Sequence, residues 1–571
     1  MVAIKLTLVC FFVWVPWASA NAFLGRISPQ RATAVLSAQS EHALLAELEV
    51  ALGSGHRHAT EKRLKRIEQM LSPMFGAMVK NENGKLGPSA SGYMLHRLFV
   101  QRHGWFIRAL EPANASFAAW NTSTPTSVLE ERVPEHVTQL FEGRLGQHGL
   151  GLRELAILAA TLEHLVHLEA LQRLNVSYQG AGFSLEDVLS NDEAINVLNV
   201  YMSVYILGFM HDDLSTLTHE MAKEMHANIL ELYPTWAETQ QFLREVHESV
   251  APKRDYFYYN DVETVIAEIG ERYGRFQDIE CRQLKDWLVE VEDSSIGGAG
   301  RVRVADFYGR ALHDGKWQFS ESINYLKQLG ALDDSDPANP RVIIPNYISG
   351  PSNCVASSAY YSVCCLDECE GILAQLEQRI GAPEASTSMI TALVSMIPSA
   401  TMPSNRSLSP WLHHRLDEVA KHHGGLVPLH GRLFAQWLHY AYPRECQFPH
   451  VSGTINPRRP EDILQESNTT EGEISASEEE MKRVVGEAPA KKQRIPGSET
   501  AASEESPMWS LDEELVVWRA TEDRSISGCL FARCREIAMV AAVLSLSFAM
   551  IRSLEPSLKN LKGSSSDKYF V

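Results

Sequence analysis

The 571-residue chain has no excess of positive charge: 52 Lys and Arg stand against 71 Asp and Glu, a formal net charge of −19. Phosphate backbones are bound through basic surface, so no nucleic-acid partner is expected. Cys-x-x-Cys is missing, which leaves a thioredoxin-like redox centre without its motif. Gly-x-Ser-x-Gly, the P-loop and a Gly-x-Gly-x-x-Gly following a strand are also missing. Each absence removes the direct signature of a reaction class. No catalytic residue is assigned, and what the sequence does offer is topology, compartment and architecture.

The first twenty residues read as a secretory signal. Lys5 is the charged start, Leu6 to Trp17 is mostly apolar, and Ala18-Ser19-Ala20 is a small-x-small cleavage site, so the mature chain is expected to start at Asn21. The alternative is a retained signal anchor. Sequons at Asn114, Asn121, Asn175, Asn405 and Asn468 fit a lumenal or extracellular glycoprotein. One of the nine cysteines, Cys10, lies in the signal, leaving eight. Five of these, Cys354, Cys364, Cys365, Cys369 and Cys446, fall in one region and are the disulfide candidates in an oxidising compartment, with connectivity open. Ile537 to Ile551 is an uncharged apolar run ending at Arg552. It is short for a bilayer, but flanking Arg side chains can snorkel, and it is read as a single membrane span followed by a tail over 552–571.

The body reads as mainly α. Helical spacing recurs over Glu61 to Val79 (with an interruption near Pro73), Tyr93 to Leu110 and Leu152 to about Val250, where Leu155, Leu158, Leu162, Leu165 and Leu168 form one stripe. Ala194 to Phe209 is apolar on several sides and is expected as a buried core helix. Tyr361 to Ile380 and Met389 to Ile397 also read as helices, and Arg341 to Tyr347 as a strand. Two helical domains are expected, 21–251 and 252–451, divided at the Tyr-rich stretch Pro252 to Asp261. From 452 to 507 Glu, Ser, Thr and Pro dominate; such composition buries too little apolar surface to offset chain entropy and predicts a disordered linker. Lys482-Arg483 and Lys491 to Arg494 look like a two-part nuclear signal, a reading set aside for a chain with a cleaved leader.

Three stretches have the order helix, polar loop, short β-like dipeptide, helix. At Trp411 to Tyr440, with Ala420 as loop position 1, Gly425 falls at 6, Val427 at 8 and Gly431 at 12. The ligand positions hold Ala420, His422 and Gly424, which give a hard cation no carboxylate. At Phe276 to Leu312 the loop from Glu292 to Asp306 is three residues too long, although Glu292, Asp293, Ser294 and Asp306 supply oxygens. The third begins at Asn175 and offers Asn175, Ser177, Gln179 and Glu186 as a candidate calcium set, with Gly180 at the turn. These stretches resemble degenerate EF-hand units, which implies paired loops; Val427 is expected to pair with Val302 or Val304. The segments YMLHRLFVQRHGW, VIIPNYISGPSNCVASSAYYSVCCLDEC and HHGGLVPLHGRLFAQWLHYAYPREC look like a widespread family of uncharacterised protist proteins, which supplies no activity.

Two metal sets are alternatives to solvated or capping side chains. One uses Glu163 with His164, His167, His211, Asp212 and Asp213; the other uses the histidines between His413 and His439. Cys354 beside them is a candidate nucleophile whose simpler fate is a disulfide. No cofactor is expected, with calcium as the alternative. The resulting expectation is a non-catalytic, membrane-tethered interaction scaffold with an unidentified protein partner, its body lumenal or extracellular. A secreted protein and a lumenal Cys/His or metal enzyme are the alternatives. Protease treatment of sealed microsomes is expected to spare the body and remove the tail after Arg552; digestion of the body without detergent overturns this topology.

Overall fold

The computed structural model describes residues 57–110, 148–207, 218–252, 254–295, 297–314, 318–355, 358, 360–464, 471–488 and 508–517. The signal segment, Asn114, Asn121, Asn468, His211 to Asp213 and the apolar run 537–551 lie outside the described residues. Within them are seventeen α-helices and only short strands, so the chain is mainly helical as its periodicity predicts. No helix among the described residues is long and apolar enough to cross a membrane.

Helix α1 (Arg57–Ala77) buries Leu64, Ile67, Leu71 and Met74, the three-and-four spacing of one face. It continues past Pro73, so the interruption expected there does not occur. Helix α2 (Pro88–His103) opens with Pro in its first turn and ends at Gly104, whose φ of 67° is the left-handed cap that favours glycine. Strand β1 (Trp105–Ile107) follows. Helix α3 (Leu152–Gly180) starts where Glu154 accepts the Gly151 N–H at 2.7 Å. After β2 (Leu189–Ser190), helix α4 (Asn191–Leu207) is the expected core helix, buried from Val200 through Leu207. Helices α5 (His219–Leu232) and α6 (Trp236–Val250) and strand β3 (Tyr256–Phe257) complete the first layer.

Helix α7 (Tyr259–Glu290) decides the architecture. Val262, Val265, Ile266, Ile269 and Tyr273 belong to the first core, whereas Cys281, Leu284 and Leu288 belong to a second. One 32-residue helix thus serves both. Among the described residues no division falls at Pro252, and those up to Val517 form one compact unit. Gly274 lies where a Cβ would come 1.9 Å from the His103 carbonyl oxygen, so only glycine lets the end of α2 press on α7.

Beyond α7 the chain makes four helix–strand–helix units in two pairs. In the first pair, α7 leads to β4 (Arg301–Arg303) and α8 (Val304–Asp314). Then α9 (Ile323–Gln328) leads through β5 (Leu332–Asp333) to β6 (Arg341–Ile343) and α10 (Ile344–Ile348). Strands β4 and β6 are antiparallel with Val302 opposite Val342. Strand β7 (Tyr361–Val363) returns to β1 and joins this half to the first layer. In the second pair, α11 (Glu368–Ile380), β8 (Glu384–Ala385) and α12 (Thr387–Met396) precede α13 (Pro410–His422), β9 (Val427–Pro428) and α14 (Arg432–Ala441). Here Ala385 faces Val427.

Val427 therefore pairs with neither Val302 nor Val304. Each pair joins two units consecutive in the chain, and the unit at Ala385 carries little sequence signal because its loop is short and its inward residue small. Tyr361 to Val363, expected as helix, is strand, and Arg341 to Tyr347 divides into strand and helix.

The stretch expected to be a disordered linker contains α15 (Pro460–Leu464), α16 (Glu471–Ile474) and α17 (Glu478–Glu487). Ile463, Ile474, Ala476 and Met481 are buried in the second core. A segment too polar to build a core is ordered here by adding a few side chains to an existing one. Cys281–Cys365, Cys354–Cys364 and Cys369–Cys446 are disulfides. The expected cluster does form disulfides, and it recruits Cys281 of α7.

Trp437 of α14 is fully buried and its Nε1–H donates to the Leu412 carbonyl at 2.8 Å. Trp437→Ala is expected to destabilise the body by about 3–5 kcal/mol, read as a lowered urea midpoint; a loss under about 1 kcal/mol contradicts this packing.

Candidate functional site

The face of α2 turned toward the second half carries Tyr93, His96, Arg97 and Val100. Arg97 is buried and held by two carboxylates of α11. Its Nε donates to Glu370 Oε2 at 2.5 Å, Nη1 to Glu377 Oε1 at 2.5 Å and Nη2 to Glu377 Oε2 at 3.2 Å. Glu370 and Glu377 are two helical turns apart, so one guanidinium reads one stripe of α11. The Tyr93 ring lies 5.2 Å from the guanidinium carbon. His430 completes the cluster, with Nε2 3.4 Å from Glu377 Oε1. Burial, reinforced by the Arg97 charge, lowers His430 to about 3 and His96 to about 4, which keeps both neutral at physiological pH.

Against this cluster lies a cavity of about 370 Å³. Tyr93, His96, Arg97, Val100 and Phe106 line it from the N-terminal layer. Asn346, Asp367, Glu370, Leu373, Phe434 and Leu438 line it from the paired units, and Arg458, Arg459 and Asp462 from the following segment. A largely apolar wall with a few placed polar groups is the usual make-up of a small-molecule site. Asp367 caps α11 by accepting the Cys369 N–H at 2.9 Å and accepts from Gln447 Nε2 at 3.2 Å. Burial, then the neighbouring Glu370 charge, pushes its carboxyl up to about 7. Arg459 donates to Asp462 at 3.1 Å and also to Ser362.

Three cavity-lining cysteines, Cys354, Cys364 and Cys369, are disulfide-bonded, so Cys354 is not a thiol nucleophile. The three quoted segments, 93–105, 342–369 and 422–446, all contribute to the cavity wall. The sequence alone did not single out Arg97, Asp367, Glu370, Glu377 or His96. Only the first of these segments, with its His-Arg pair inside an apolar helix, carried a signal.

The sequence-derived metal candidates fare differently. Asn175, Ser177 and Gln179 sit in the last turns of α3 rather than in a loop. Ser177 is buried and donates to the Arg173 carbonyl at 2.7 Å, Asn175 Oδ1 accepts from Tyr259 Oη at 2.7 Å, and Glu186 is exposed beyond the helix end. Amphipathic spacing simply continues through the Asn-Val-Ser sequon. Asn405, by contrast, is exposed in a turn with φ of 57°.

Among the long-loop carboxylates, Glu292 accepts from Arg444 at 2.9 and 2.6 Å and from the Gly300 N–H at 2.6 Å. Asp293 accepts from Ser295, and Asp306 from Arg303 at 2.7 Å. On the adjoining strands Asp333 accepts from Arg301 at 2.8 Å and Arg341 at 3.2 Å. Guanidinium groups and backbone N–H groups thus take the lone pairs that a cation would use.

Glu163 is bound by Arg63 and by Arg102, the latter at 2.9 Å, with His103 at 3.6 Å. Burial opposes its charge, but His103 and the two arginines prevail and hold the carboxyl at about 2. The histidines disperse: His414 lies by Glu418, His423 by Glu513, His430 by Glu377, and His439 Nδ1 by the Cys446 carbonyl. Among the described residues no three His, Cys, Asp or Glu side chains form a metal-holding group.

Compared with protein-family models, curated proteins and solved structures, the chain matches none.

Arg97→Met is expected to cost roughly 3–5 kcal/mol, since it leaves the buried Glu377 and the cavity-lining Glu370 without their cation. Adding Glu377→Gln should restore part of the loss, because it removes one of the stranded charges. A single variant as stable as the parent in urea unfolding contradicts the account.

Proposed function

We propose that this chain is a non-catalytic binding scaffold with a lumenal or extracellular body, tethered through 537–551. Its frame is two pairs of degenerate EF-hand-like units braced by disulfides and arginines instead of calcium. The observation that carries the binding role is the cavity. It has walls from both halves of the chain, three lining cysteines consumed in disulfides, and its principal cation, Arg97, held by carboxylates. Such walls are preformed and lower the ordering cost of binding. Gly425, at the sixth loop position, takes φ of 115°, which fits the turn of such a unit. A second reading, a lumenal enzyme, draws on one observation: Asp367, near neutral pH in its titration, shares the cavity with neutral His96.

The test is a thermal-shift screen of the full chain with small amphipathic compounds. Hits are expected to raise the melting temperature, as any ligand of the native state does, and Ala435→Trp, which puts a large ring at the cavity-lining Ala435 of α14, is expected to abolish the shift. Calcium and EDTA are expected to leave the melting temperature unchanged. Failure of every compound, or a calcium-dependent rise of several degrees lost on changing Glu292 and Asp306, overturns the reading. Turnover of a hit that Asp367→Asn abolishes favours the enzyme.

A further inference from the structure

Residues 471–487 form a strap across the second core. Ser475 faces Glu321 as an antiparallel bridge. The Ser322 N–H donates to the Ile474 carbonyl at 2.7 Å, the Ala476 N–H to the Ser320 carbonyl at 2.7 Å, and Ser322 Oγ to the Glu473 carbonyl at 2.6 Å. Farther on, α17 packs on α8 and lays Met481 and Val484 on the core. Its first turn carries Glu478, Glu479 and Glu480, so the strap is held by backbone bonds and a few apolar side chains rather than by charge.

The residue at the crossing is the unusual one. The Glu321 carboxyl is buried; Oε1 accepts from Tyr347 Oη at 2.9 Å, and Oε2 has no hydrogen-bond partner. Among the described residues, the groups that face it are Tyr308 of α8, which donates to the Glu321 carbonyl at 2.9 Å, Tyr325 of α9, Tyr347 of α10 and, beside Tyr308, Glu480 of α17. None is a cation. A carboxylate here loses water without gaining a counter-charge from the described residues, whereas a neutral carboxyl is tolerated.

We propose that the strap is a latch set by Glu321: it closes over the neutral carboxyl and loosens when that carboxyl ionises, because opening returns it to water. The inference does not depend on the cavity. Burial pushes the Glu321 carboxyl up to about 7, against the pull of its own N–H and of Tyr347, from an ordinary value of 4.5. The closed strap therefore holds its proton longer than the open one. Its hold is full below the ordinary value, weakens as pH rises through the window, and levels off above about 7. Between pH 5 and pH 7.5 the open-to-closed ratio rises on the order of tens-fold.

Hydrogen exchange read by mass spectrometry on the full chain, corrected for intrinsic exchange, tests this. Peptides from 471–488 are expected to lose protection by that factor over the window, while peptides from 427–441 keep theirs. Glu321→Gln, isosteric and uncharged, should flatten the dependence. Tyr347→Phe removes the donor that favours the ionised form and should move the midpoint to higher pH. Glu480→Gln should leave the dependence in place. Protection of the strap that is constant with pH, a dependence that survives in Glu321→Gln, a midpoint that stays or falls in Tyr347→Phe, or flattening by Glu480→Gln overturns the latch.

Discussion

The bidentate hold of Glu377 on Arg97, extended to Glu370, is the constraint on which the two halves depend. Removing a guanidinium and two carboxylates from water is costly, and only close, complete pairing offsets it. The cluster therefore accepts one relative placement of α2 and α11. Hydrophobic contact between the layers would tolerate sliding; a forked guanidinium does not. Tyr93, His96 and His430 close the remaining space with groups that stay neutral, so no competing charge disturbs the pair. The cavity is the room left beside this fixed point.

Around it, the paired units are ordered by covalent bonds and by arginines that hold their loop carboxylates. Cys281–Cys365 ties α7 to the segment entering α11, and Cys369–Cys446 ties α11 to the residues after α14. Arg444 reaches from that same segment to Glu292, in the loop of the first unit. Gly300, where a Cβ would come 1.9 Å from the Pro443 carbonyl oxygen, marks how closely the two pairs approach. The loop after α7 is thus not slack, because Glu292 is anchored to Arg444, far away in sequence.

The strap illustrates order of another kind. Glu471 to Glu487 is acidic and sparsely apolar, and its composition points to disorder. Two backbone bonds beside Glu321 and the insertion of Ile474, Ala476 and Met481 suffice to place it. Order of this kind costs little to undo, which makes it suited to carry a switch.

The sequence by itself determined the helical class, the apolar stripe of α3, the buried core helix α4, the clustering of disulfide-forming cysteines and the glycine turn at Gly425. All are local: spacing along one helix, a positive φ, or one residue type gathered in a short stretch. The tertiary structure alone decided which strand meets Val427, that Cys281 joins the cysteine cluster, that Asn175 and Ser177 continue a helix instead of opening a loop, and that Arg97 finds Glu377. Those outcomes hang on contacts across long sequence separation. Their energies arise from burial and from pairing of charge after water has left, and one sequence read in order does not say which distant groups share that dry space.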